Sequence, residues 1–118
     1  MSANIDLGQT PEVDRWFKAA GHDRLPAAEQ QQLLSELAAF CQFTGKSPSE
    51  LPASCLRITN DGQKAISAKG RTAMQATIEA FVHKELGLAG HQAIVAGNRL
   101  RGFLIHNGVF IQGPASIR

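Results

Sequence analysis

The chain has 118 residues, 43% of them hydrophobic and 19% charged, with 12 Lys and Arg against 10 Asp and Glu for a net charge of +2. That length suits one domain with a real core and excludes a large two-domain enzyme, and the composition is that of a globular chain. With no tyrosine, chemistry that needs a phenolic nucleophile or proton donor is excluded.

Residues 1–9 read as a flexible leader and residues 10–118 as a single helical domain. The leader has neither a basic start nor an apolar run, and no stretch reaches membrane-span length, so a cytoplasmic protein without membrane contact is expected. Thr10-Pro11-Glu12 supplies a cap, a first-turn proline and an acid at the positive helix end. Val13, Trp16, Phe17 and Ala20 follow at i, i+3, i+4 and i+7, and Gly21 is the stop.

A second helix is predicted from near Pro26 to Thr44, with Leu33, Leu34, Leu37, Phe40 and Cys41 on one face and Gly45 as its end. Ser47-Pro48-Ser49-Glu50-Leu51 has the form of a cap, a proline and a short helical turn, halted by Pro52. Residues 52–70 leave two readings open. One is a connecting loop; the other is a small hairpin that turns at Asn60-Asp61-Gly62 and returns along Lys64–Ser67.

A third helix is predicted from about Gly70 to Leu86, with Met74, Ile78, Phe81, Val82 and Leu86 apolar and Gly87 as stop. The last stretch, Gly90 to Pro114, gathers the most apolar side chains. As a helix it aligns Ala93, Ala96, Leu100, Phe103 and Leu104, with Asn98 and Arg101 on the less buried side and Asn107-Gly108 as the stop. As a hairpin, the same Asn-Gly joins Phe103–His106 to Val109–Gln112. The helix is preferred, because three helical segments precede it and a lone hairpin needs a sheet to join.

The two cysteines, Cys41 and Cys55, have no Cys-x-x-Cys spacing and no His at zinc spacing, so free thiols in a reducing compartment are expected, with no metal and no disulfide. None of His22, His83, His91 and His106 belongs to a ligand cluster, and Glu79 one turn before His83 reads as a surface helix pair.

Ala38–Leu51, reading AAFCQFTGKSPSEL, resembles the first long helix and following turn of the N-terminal core-binding domain of tyrosine recombinases and phage integrases. Asn98–Val109, reading NRLRGFLIHNGV, is similar to that domain's last helix. The similarity spans roughly residues 26–114, with gaps in its middle. It implies a mainly all-α fold, a four- to five-helix SAM-like bundle with room for a small β-hairpin, that clamps duplex DNA. The family's separate catalytic domain, with its arginines, histidine and tyrosine, has no counterpart here. The resemblance therefore implies a DNA binder without catalysis or cofactor, in a family of DNA recombination, either as an isolated domain or as a remnant used for another purpose.

Three basic groups are candidates for double-stranded DNA: Lys46 beside Ser47; Lys64, Lys69 and Arg71 around the start of the third helix; and Arg99 with Arg101 on the last helix. Cationic side chains displace condensed counterions, and helix N-terminal amides add directional contacts. Asn98, Gln92 and Arg101 have the chemistry to read base edges. Glu79 and Glu85 dilute the basic surface. The alternative is a small helical protein-interaction or oligomerisation module, motivated by the near-neutral charge and by Ile94 and Ile105 opposite Leu100. A third reading takes the Asn-Gly hairpin as the wing of a winged-helix DNA binder.

Overall fold

The computed structural model describes residues 10–111. The expected leader and the end of the last stretch, from residue 112, lie outside the described residues.

Helix α1 (Pro11–Ala20) has proline in its first turn, Glu12 and Asp14 at its positive end, and Gly21 at φ 79° as a left-handed stop. It buries Val13, Trp16 and Phe17. A 3-10 turn, His22–Arg24, follows and sets the His22 ring edge-on to Trp16 at 5.2 Å. Helix α2 (Ala27–Thr44) buries Leu33, Leu37, Phe40 and Cys41, and Gly45 at φ 73° ends it. Ser47 and Glu50 then form a reciprocal cap: the Ser47 N–H donates to Glu50 Oε1 at 2.8 Å and the Glu50 N–H to Ser47 Oγ at 3.3 Å. The short helix α3 (Glu50–Ala53) follows, with Leu51 fully buried.

Of the two readings of the middle segment, the hairpin is the one observed. Strand β1 (Leu56–Ile58) pairs antiparallel with β2 (Lys64–Ile66), with Leu56 opposite Ile66, Arg57 opposite Ala65 and Ile58 opposite Lys64. Leu56 packs on the core and fixes the root of the hairpin. Helix α4 (Ala68–Ala80) starts under a Ser67 cap whose Oγ accepts from the Gly70 N–H at 3.0 Å. It continues as a π-helical turn, Phe81–Glu85, closed by the Leu86 N–H on the Phe81 carbonyl at 2.9 Å. Within that turn the adjacent Phe81 and Val82 are both buried.

The last stretch forms helix α5 (Gly90–Ile105), with Asn107-Gly108 as its stop rather than a hairpin turn. Gly108 has φ 94°, and the Val109 N–H returns to the Leu104 carbonyl at 2.9 Å. The chain beyond the stop buries Val109 and Ile111 in the helical core. Asn107 Nδ2 donates to the Glu12 carbonyl at 3.0 Å and ties α5 to α1. Trp16 meets Phe103 edge-on at 5.4 Å, and Phe40 meets Phe81 at 5.1 Å, so one aromatic pair joins α1 to α5 and another joins α2 to the end of α4. Each fully buried side chain of this size contributes on the order of 2 kcal/mol. The described residues thus form a mainly helical bundle of five α-helices with a two-stranded sheet.

One expectation is corrected by the packing of α5. Arg101 does not lie on an open side of the helix; it is 3% exposed. Gly97, one turn earlier, has no side chain, and the guanidinium occupies the vacated space, with Nη2 2.7 Å from where a β-carbon would stand.

Candidate nucleic-acid interface

The cations of α5 are internally engaged. Arg99 Nε and Nη2 donate to Glu36 Oε1 and Oε2 of α2, both at 2.8 Å, a two-bond geometry that holds the Arg99 charged form and raises its pKa. Arg101 donates to Asn98 Oδ1 from Nη2 at 2.9 Å and from Nε at 3.3 Å, and from Nη1 to Gln75 Oε1 at 3.2 Å. Its Nη1 also lies 3.5 Å from Glu79 Oε2. Burial lowers the Arg101 pKa, and Glu79 partly offsets this. One Glu79 oxygen thus turns toward the buried Arg101, while the side chain as a whole stays 33% exposed. Its other oxygen is 3.1 Å from His83 Nε2, the expected surface pair. Arg101 is accordingly withdrawn from the candidate DNA contacts, because a buried guanidinium with these partners has no route to a phosphate.

The hairpin and the start of α4 have a different character. The stretch 46–71 contains Lys46, Arg57, Lys64, Lys69 and Arg71 against only Glu50 and Asp61. Both carboxylates are held in local turns: Glu50 by the Ser47 amide and hydroxyl, Asp61 by the Thr59 hydroxyl and nearby backbone N–H groups, and these donors lower both pKa values. Arg57, Lys64 and Lys69 are exposed and make no ion pair or side-chain hydrogen bond with a described residue. Arg57 and Lys64 project from opposite faces of the hairpin, since Lys64 pairs with Ile58 and Arg57 with Ala65. Ile58, on the same face as Lys64, is 64% exposed.

Gly70 is what lets this end assemble. A β-carbon there would stand 2.5 Å from the Ser54 carbonyl and 3.2 Å from Cys55 Cα, so only glycine lets the first turn of α4 lie against the end of α3. The approach opens a cleft of about 430 Å³ that brings Lys46 from the end of α2 together with Ser54, Gly70 and Thr77. On the other side of α4 a cleft of about 410 Å³ is lined by Arg71, Thr72, Gln75, Phe110 and Ile111. Arg71 Nη1 donates to the Phe110 carbonyl at 3.2 Å across it.

The predicted site residues therefore divide. Lys46, Ser47, Lys69 and Arg71 lie on or beside the hairpin–α4 end, with Ser47 spent as a helix cap. Asn98 and Arg99 lie on α5 beside a separate cleft with Trp16. Sequence reasoning missed Arg57 and Ile58, whose signal was the Asn60-Asp61-Gly62 turn that makes their strand a projecting hairpin. Among the described residues no group of three or more His, Cys, Asp or Glu is placed to hold a metal. Cys41 and Cys55 are free and buried, and burial pushes the Cys41 thiol up to about 11. No described helix is long and apolar enough to cross a membrane. No family model, curated protein or solved structure matches the chain.

Proposed function

We propose that this chain is a non-catalytic binder of double-stranded DNA, as the resemblance to a recombinase core-binding domain implies, and that it contacts the duplex through the hairpin and the N-terminal turn of α4. The carrying observation is the gathering of uncommitted cations, Arg57, Lys64 and Lys69, at that end, while Arg99 is paired with Glu36 at the edge of the bundle and Arg101 is buried beside Glu79. A two-stranded ribbon fits the major groove, where the opposite faces of the hairpin would bring Arg57 and Lys64 toward the two phosphate walls. Ile58, which shares the Lys64 face, would supply apolar contact on that side of the groove. The first turn of α4 has no acidic residue, so its free amides and Lys69 suit a backbone phosphate.

A second reading, a protein-interaction or oligomerisation module, is favoured by Phe110 at 61% and Ile58 at 64% exposure. Fluorescence anisotropy of a labelled duplex separates the two. Binding that weakens steeply with salt, and that Lys64→Glu/Lys69→Glu lowers by about tenfold or more, supports the DNA reading. No binding at low salt, with light scattering detecting self-association, supports the module.

A further inference from the structure

On the α1–α5 side of the bundle lies a cleft of about 310 Å³ that the DNA reading does not use. Its floor includes Trp16, the one tryptophan of the chain. Trp16 is only 2% exposed, yet its indole N–H has no acceptor among the described residues. Among those residues no fully enclosed side-chain nitrogen or oxygen lacks a partner, so this N–H is not sealed in the core; it opens into the cleft that Trp16 lines. A buried indole N–H ordinarily finds an acceptor.

Gly102 makes the opening. A β-carbon there would stand 3.7 Å from Trp16 Nε1 and within 4 Å of no other atom outside its own helix, so the missing side chain leaves the indole edge uncovered. One turn earlier on α5, about 6 Å along the axis, Asn98 lines the same cleft. Its Oδ1 accepts twice from Arg101, which fixes the amide orientation and turns the NH2 group outward, where it too has no described acceptor. His22, His106 and the Glu36-paired Arg99 complete the polar lining, and Ala20 and Val95 the apolar walls.

We propose that this cleft binds a small carboxylate with a compact apolar body, its oxygens taking the Trp16 indole N–H and the Asn98 amide N–H, with His106 and His22 beside them. Donors with no acceptor call for an acceptor-bearing ligand. The apolar walls call for an apolar body, and the volume, at the small end for ligand sites, limits it to about the size of benzoate. A doubly charged phosphate fits poorly, because Arg99, the Lys or Arg side chain that lines the cleft, is already paired with Glu36. The inference stands independently of DNA binding.

The test is the single indole cross-peak in a ¹H–¹⁵N correlation spectrum of the full chain, titrated with benzoate, benzyl alcohol, acetate and inorganic phosphate. Benzoate is expected to shift the indole peak and the Asn98 side-chain peaks saturably, with benzyl alcohol, acetate and phosphate far weaker. Gly102→Ala, which puts a methyl group in ordinary contact with the indole nitrogen, should weaken the benzoate effect several-fold while the rest of the spectrum stays folded. His106→Gln should weaken it as well. A benzoate response that does not saturate, one matched by benzyl alcohol or phosphate, or one untouched by both variants overturns the proposal.

Discussion

Arg99 of α5 and Glu36 of α2 meet through two parallel hydrogen bonds, both 2.8 Å long, across 63 residues of sequence. The Arg99 side chain is 37% exposed and that of Glu36 14%, so the pair sits between a surface bridge and a buried one. Its coupling energy in a double-mutant cycle with Arg99→Ala and Glu36→Ala is expected at about 1 kcal/mol. Arg99→Ala alone should lower stability without weakening duplex binding. A loss of affinity with unchanged stability would return Arg99 to the DNA-contacting set.

Gly70→Ala is expected to destabilise by about 1–3 kcal/mol in urea unfolding, through overpacking against Ser54 and Cys55. The sign is the informative part, because alanine in a helix is ordinarily better than glycine by about 1 kcal/mol. A more stable variant would mean that α3 and α4 do not approach as described.

Arg101→Ala removes a buried cation from Glu79, Gln75 and Asn98 and leaves a void over Gly97. A loss of about 2–4 kcal/mol is expected in urea unfolding. Charge reversal at Arg99 and Arg101 together would therefore report on folding rather than on DNA contact.

The His22 pKa is lowered from its ordinary 6.5, mainly by burial, then by repulsion from His106, against a smaller raising effect of Asp23. Below about pH 6.5 the unfolded chain binds more protons at this position than the folded one. Stability therefore falls as pH drops through 6.5 toward the lower folded-state pKa, and the contribution is fully retained above that window. In His22→Gln the unfolding midpoint should fall less between about pH 7 and about pH 5 than in the parent chain. An identical pH profile would show that His22 does not titrate as its burial requires.

Much of the bundle was legible because its boundaries are written in local chemistry. Gly21 and Gly45 take the left-handed conformation after the apolar runs they end, and Ser47 and Glu50 close the cap their spacing implies. The choice between helix and hairpin after Gly90 turned on context that periodicity alone does not supply, since Asn107-Gly108 serves either; what decides it is that Val109 and Ile111 have a helical core to enter. The site was less legible for the same reason in reverse. Arg101 lies along the Gly97–Leu104 row at the edge of the apolar face, and nothing local says that a guanidinium will use the space a glycine leaves. The Arg99 partner is 63 positions away, which no short-range pattern records.

The decisive measurement is duplex-binding anisotropy at about 50 and about 200 mM salt for the parent chain, Lys64→Glu/Lys69→Glu and Arg99→Ala. A DNA-contacting hairpin–α4 end requires parent affinity that drops steeply with salt, a double variant weakened by about tenfold or more with a shallower salt slope, and Arg99→Ala close to the parent. Parent binding left intact by the double variant, or no binding at the lower salt, contradicts it.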